Sequence, residues 1–270
     1  MRYYLVVLLY GLLHSSPLWA VTLAGTGDSE ILLKRLAAEY HRKYPDRPAV
    51  SVPESVGSSG GIRMLLQGRT DFARVARPLK PEEARQGLRI WTFARVPILF
   101  VANLPQPCVQ GLDSESILDI VYGEITNWSQ VNAGCPNHKL YFARREPGDS
   151  STRVLQRVIP GFDEESISAG KTVYTTMETV RIIQEHPYTM GFIPGTALHD
   201  SNLTHLAYNG IKASTQTVAD GRYPLLLEFS LVWKEPLSVQ ARQFMHYLQQ
   251  SDAREIMNAF GAVATPGEGR

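Results

Sequence analysis

Val56-Gly57-Ser58-Ser59-Gly60-Gly61-Ile62-Arg63 decides how the rest of the chain is read. Nothing bulky stands between Val56 and Ile62, and Ile62, Leu65 and Leu66 follow at helical spacing, so the stretch reads as a loop opening a helix. The first turn of a helix leaves N–H groups without intrahelical partners and carries the positive end of the macrodipole. Glycines that let a ligand approach, with two serine hydroxyls beside them, suit an anion. Serine and glycine also fill ordinary turns and caps, so the reading depends on companions elsewhere.

Two companions are present. Val21-Thr22-Leu23-Ala24 alternates as a short strand and ends in Gly25-Thr26-Gly27-Asp28-Ser29. A helix follows from Glu30 to about Tyr44, with Ile31, Leu32, Leu36 and Tyr40 on one face, and Pro45 ends it. Ala49-Val50-Ser51-Val52 is the strand that feeds the opening loop. Further on, Lys139-Leu140-Tyr141-Phe142-Ala143 runs into Arg144-Arg145-Glu146-Pro147-Gly148-Asp149-Ser150-Ser151-Thr152, ahead of a helix bearing Val154, Leu155, Val158 and Ile159. Strand-loop-helix units in succession argue for an α/β sheet with ligands at the strand ends. The third loop adds arginine, whose planar donor fork fits phosphate or carboxylate oxygens.

Outside these loops, Val96 to Ala102 is an apolar run expected as a buried strand, and Pro105 and Pro107 mark a crossing between lobes near Asn103. Ser114 to Tyr122 and Thr179 to Glu185 are expected as helices, and Met190 to Pro194 and Tyr223 to Trp233 as strands. A final helix runs from Val239 to Leu248 and, after a break, from Asp252 to Phe260. Of 270 residues 44% are apolar; Lys+Arg 27 against Asp+Glu 26 leaves a net charge of +1. That excludes the basic field of a nucleic-acid binder, so anion specificity is local. Met1 to Ala20 reads as a secretory signal peptide, and no cysteine follows the cut, which argues against a lipoprotein. Cys108 and Cys135 are the two cysteines, and a pair in an exported chain suggests one structural disulfide. The seven histidines lack ligand spacing, so no metal is expected.

The chain resembles the phosphate-binding protein of ABC phosphate transporters. The resemblance rests on Gly57 to Ile62, Thr70-Asp71-Phe72-Ala73 with Arg77-Pro78-Leu79, Val121 to Trp128, Gly148 to Thr152, Met190 to Ile193, Tyr223-Pro224-Leu225 and the closing helix ending Gly261-Ala262-Val263. It implies an α/β protein of the two-lobed type II periplasmic binding protein fold, with two hinge crossings between the lobes. Lobe 1 is expected over 21–102 and 195–270 and lobe 2 over 103–194. It further implies a periplasmic monomer with no cofactor and no enzymatic activity, which holds inorganic phosphate or a related oxyanion and delivers it to an ABC permease in the inner membrane. Ser58 and Ser29 match the hydroxyl ligands of the first two loops, and Ser150, Ser151 and Thr152 those of the third. Arg145 is similar to the family's arginine, although a loop one residue longer leaves Arg144 as the alternative. Ser59 and Arg77 join the candidate ligands, Arg77 as cleft charge or as a surface residue.

One position departs from the resemblance. Ala76 stands where the family's aspartate accepts the proton of hydrogen phosphate, an acceptor that repels a fully ionised oxyanion such as sulfate. Asp149 or Asp28 is a substitute acceptor or a helix N-cap. The departure also opens the reading of a periplasmic sensor, scaffold or secreted protein outside transport. A serine hydrolase built on Ser150 or Ser58 is opposed by the lack of Gly-x-Ser-x-Gly and of an activating histidine and acid.

Overall fold

The computed structural model describes residues 20–199 and 201–267, so all of the expected signal peptide except Ala20 lies outside the described residues. The amino-terminal third winds as β1 (Val21–Gly25), α1 (Glu30–Lys43), β2 (Val50–Ser51), α2 (Gly57–Leu66) and β3 (Phe72–Val75). β1 is flanked in parallel by β2 and β3, with Val21 opposite Val50 and Leu23 opposite Phe72. Parallel neighbours need a crossover, and α1 and α2 provide it. Leu32, Leu33, Leu36 and Tyr40 bury one face of α1. α2 begins at Gly57, so the two serines lie inside its first turn rather than before it.

A short α3 (Pro81–Ala84) leads into β4 (Leu88–Ala102), a strand of 15 residues that starts well before the expected Val96. Its first part reads Leu88-Arg89-Ile90-Trp91-Thr92-Phe93-Ala94-Arg95, and exposed Arg89 and Arg95 break the apolar run that marks the buried remainder. After β5 (Gly111–Leu112), α4 (Ser114–Tyr122) and α5 (Trp128–Val131), the chain repeats its opening device. β6 (Tyr141–Arg145) feeds α6 (Ser150–Val158), and β7 (Lys171–Val173) feeds α7 (Thr176–Glu185). β8 (Thr189–Pro194), β9 (Thr204–Tyr208), α8 (Thr215–Ala219), β10 (Leu226–Lys234), α9 (Val239–Tyr247), α10 (Ser251–Ala259) and β11 (Val263–Ala264) complete it.

The sheet runs β2-β1-β3-β10-β4-β8-β6-β7. β4 joins its two ends: Leu88 to Pro97 pairs antiparallel with β10, and Ile98 to Ala102 with β8. β9 pairs with Phe100 to Ala102 and with β5, so the return of the chain towards β10 follows Tyr208. Val96 to Ala102 is buried on both faces, as a central strand requires. Cys108 and Cys135 form a disulfide, with Cα atoms 5.2 Å apart and a sequence separation of 27. Closing a loop of that length stabilises the fold by about 3–4 kcal/mol on the chain-entropy argument. Among the described residues no helix is long and apolar enough to cross a membrane.

Candidate functional site

Helix starts from both ends of the sheet converge on one cavity of about 210 Å³. The β1 end contributes Thr26, Gly27, Ser58 and Ser59; the β6 end contributes Arg145, Ser150 and Thr176. Two glycines make the close packing behind it. A side chain on Gly61 would place its Cβ 2.7 Å from the Gly25 Cα, so only a glycine lets α2 lie this near β1. Gly25 itself has φ 147°.

Arg145 is nearly enclosed, 6% exposed. Its Nη2 donates to Asp149 Oδ2 at 2.8 Å and its Nη1 to Thr179 Oγ1 at 3.0 Å. Its Nε–H has no partner among the described residues, which leaves a buried donor of a charged group unused. Asp149 is the N-cap of α6, accepting from the N–H groups of Ser151 at 3.0 Å and Thr152 at 3.1 Å. Both of its oxygens are therefore engaged, one by the helix and one by the arginine. Arg144 points elsewhere, donating to Thr172 Oγ1 and to the Ile167 carbonyl.

On the other wall Ser58 Oγ accepts from the Ala76 N–H at 3.3 Å. Arg77 reaches Ser59 Oγ at 3.0 Å but holds a two-pronged ion pair with Glu83 at 2.7 and 2.8 Å, which neutralises most of its charge. Of the residues expected from the sequence, Ser58, Ser59, Arg77, Arg145, Asp149 and Ser150 line the cavity, whereas Ser29, Ser151 and Thr152 do not. Those three are buried at 0%, 2% and 2% exposure. Ser29 Oγ has no partner among the described residues.

Sequence reasoning missed several members. Thr175 and Thr176 line the cavity at the start of α7, and the signal, hydroxyls after a strand and before a helix, was there but β7 is only three residues long. Arg74 follows Thr70-Asp71-Phe72-Ala73 with nothing in the sequence to single it out. It is wholly buried behind the site, where its Nη2 donates to the Pro53 carbonyl at 2.5 Å and faces Glu30 Oε2 at 3.5 Å. Burial lowers its pKa to about 10, which leaves it charged at neutral pH.

Asp28 sits one hydroxyl behind the cavity. Its Oδ1 accepts from Thr176 Oγ1 at 3.0 Å and its Oδ2 from Thr26 Oγ1 at 3.1 Å. Burial pushes its pKa up to about 6 from 3.8; Asp149 adds to the rise, while Arg145 and the two hydroxyls oppose it. The folded protein thus holds a proton that the unfolded chain releases, so the contribution to stability is full below about pH 4 and falls as pH rises through 6. The loss is on the order of 2–3 kcal/mol. Asp28→Asn is expected to flatten this part of the stability profile; urea unfolding from pH 4 to 7 checks it, and parallel profiles for both proteins would contradict it.

A model of the PBP superfamily domain matches residues 14–252. The phosphate-binding protein PstS of Borreliella burgdorferi is 24% identical over 264 residues, 94% of this chain and 93% of that one. Among solved structures, a candidate phosphate ABC transporter substrate-binding protein from Clostridium perfringens, with bound phosphate, superimposes at a TM-score of 0.81 with 22% identity, covering 92% of this chain and 100% of that one. An ABC-type phosphate transport receptor from Vibrio cholerae gives 0.67 and 22%, covering 91% and 100%. These likenesses show the fold, the two-lobed type II periplasmic binding protein architecture.

Proposed function

The chain belongs to the PBP superfamily, and from that premise we propose that it is an exported solute-binding protein, not an enzyme, for phosphate or a similar tetrahedral oxyanion. The anion occupies the cavity between the two ends of the sheet, and the loaded protein delivers it to an ABC permease. One observation carries the reading: Ser58, Ser59, Ser150 and the buried Arg145 meet at one cavity. The relatives, a phosphate-binding protein and a phosphate transport receptor, support the choice of ligand. Affinity then comes from many hydrogen bonds to a desolvated anion, each charge-assisted one worth about 1.5–3 kcal/mol.

We assign Arg145 and the serines to ligand contact, Asp149 to capping α6 and tethering Arg145, and Ser29, Ser151 and Thr152 to the walls behind. We assign the first crossing between lobes to β4 and group β9 with the β8 end, a reading supported by its pairing with Phe100 to Ala102. The protein acts outside the cytoplasm, as a monomer released by cleavage after Ala20. Calorimetry of the purified protein with phosphate, sulfate, arsenate and molybdate tests the proposal. At least one is expected to bind tightly at one site, with sulfate competing because Ala76 presents no carboxylate; silence from all four overturns it.

A further inference from the structure

Beyond Arg153 the anion cavity opens into a second concavity of about 490 Å³, which shares Arg77, Ser150 and Arg153 with it. This groove has walls from both ends of the sheet: Arg153 and Arg157 from α6, Arg95 from β4 and Glu228 from β10. Its charge is one-sided. The guanidinium groups of Arg95, Arg153 and Arg157 make no hydrogen bond or ion pair among the described residues. Glu228, the one carboxylate in the groove, faces Arg95 across the β10–β4 ladder without closing an ion pair. At the junction Ala76 donates its N–H to Ser58 in the first cavity while lining the second, so no charge there opposes an anion passing from one to the other.

A single tetrahedral oxyanion fills only the first cavity and leaves Arg95 and Arg157 with Glu228 as the one carboxylate beside them, in a concave setting that concentrates their potential. We propose that the cleft takes a condensed phosphate, such as pyrophosphate or tripolyphosphate. A terminal phosphoryl group sits beside Arg145 and Ser58, and the following groups run past Arg153 to Arg95 and Arg157. The inference rests on the reading of the first cavity as a phosphate site and adds the reach of the ligand. Guanidinium forks suit successive phosphoryl oxygens, because each offers paired donors in a plane.

Calorimetry with orthophosphate, pyrophosphate and tripolyphosphate, free of divalent cations, tests it. Tripolyphosphate is expected to bind one per protein, to be displaced by orthophosphate, and to weaken about tenfold or more in the double variant Arg95→Ala/Arg157→Ala, as the loss of charged contacts implies. Orthophosphate affinity is expected to stay unchanged in that variant, since neither residue lines the first cavity. Glu228→Gln is expected to move tripolyphosphate affinity the other way. Orthophosphate binding with no tripolyphosphate binding, equal affinity of both proteins for tripolyphosphate, or failure of orthophosphate to displace it would each overturn the inference and leave the oxyanion reading standing. If no phosphate species binds, the inference falls together with the phosphate reading of the first cavity on which it rests, and sulfate, arsenate and molybdate then decide the wider oxyanion reading.

Discussion

Arg145→Ala is expected to weaken oxyanion binding by about two to three orders of magnitude or more. The arginine is a buried charge held between Asp149 at 2.8 Å and Thr179 at 3.0 Å. Removing one partner of a buried pair leaves the other charge uncompensated, at a cost of about 3–5 kcal/mol. Here the orphan is a carboxylate beside the anion's seat, with Asp28 behind it, so the loss falls on ligand affinity as well as on the fold. Tenfold in affinity corresponds to about 1.4 kcal/mol. Arg145→Lys keeps the charge but cannot serve Asp149 and Thr179 at once, because one ammonium replaces a two-armed fork; it is expected to fall between. Arg144→Ala provides the comparison, since that side chain is taken up by Thr172 and Ile167 and its loss should leave affinity intact. Calorimetry across the three variants, with urea unfolding to confirm that each is folded, decides the matter. A loss under tenfold for Arg145→Ala would remove the arginine from the site.

The second large effect concerns the backbone beneath the first loop. A Cβ on Gly25 would stand 2.0 Å from the Arg74 carbonyl oxygen, and the residue's φ of 147° is one that other residues rarely adopt. The same carbonyl accepts the Thr26 N–H at 3.0 Å, so the strand cannot move aside without losing that bond. Gly25→Ala is expected to cost about 4 kcal/mol or more, in the range reserved for core strain. Gly57 also has a positive φ, 69°, but no atom lies within 4 Å of its added Cβ. Gly57→Ala should therefore cost only the left-handed backbone penalty, about 1 kcal/mol. Urea unfolding of the two variants separates steric collision from backbone preference; similar losses would mean that the contact with Arg74 is relieved by a small shift.

Three strand-to-helix loops with hydroxyls and glycines are visible in the sequence because the helices that follow them, α1, α2 and α6, are long enough to show their period. The choice between Arg144 and Arg145 is not, since adjacent residues of a strand face opposite sides and only the pairing of β6 with β8 and β7 sets which side meets the cavity. Arg74 was illegible for a different reason: Phe72-Ala73-Arg74-Val75 carries a charge in a run where burial on every side is decided by Pro53 and Glu30, both distant in sequence. Ser29, Ser151 and Thr152 show the limit of composition. They stand in the right loops, but which hydroxyl of a helix start faces the ligand depends on the helix's roll against the sheet, and here packing turns them inward.

β10 lies between β3 and β4, with Val75 facing Ser230. The first hundred residues therefore cannot finish their own sheet: β3 keeps an open edge until the chain has been made almost to its end. Pairings between such remote segments close slowly, and an unpaired edge invites other chains. For a protein proposed to cross a membrane before it works, late closure is useful, because a chain that has not yet locked its sheet can still be threaded through a pore.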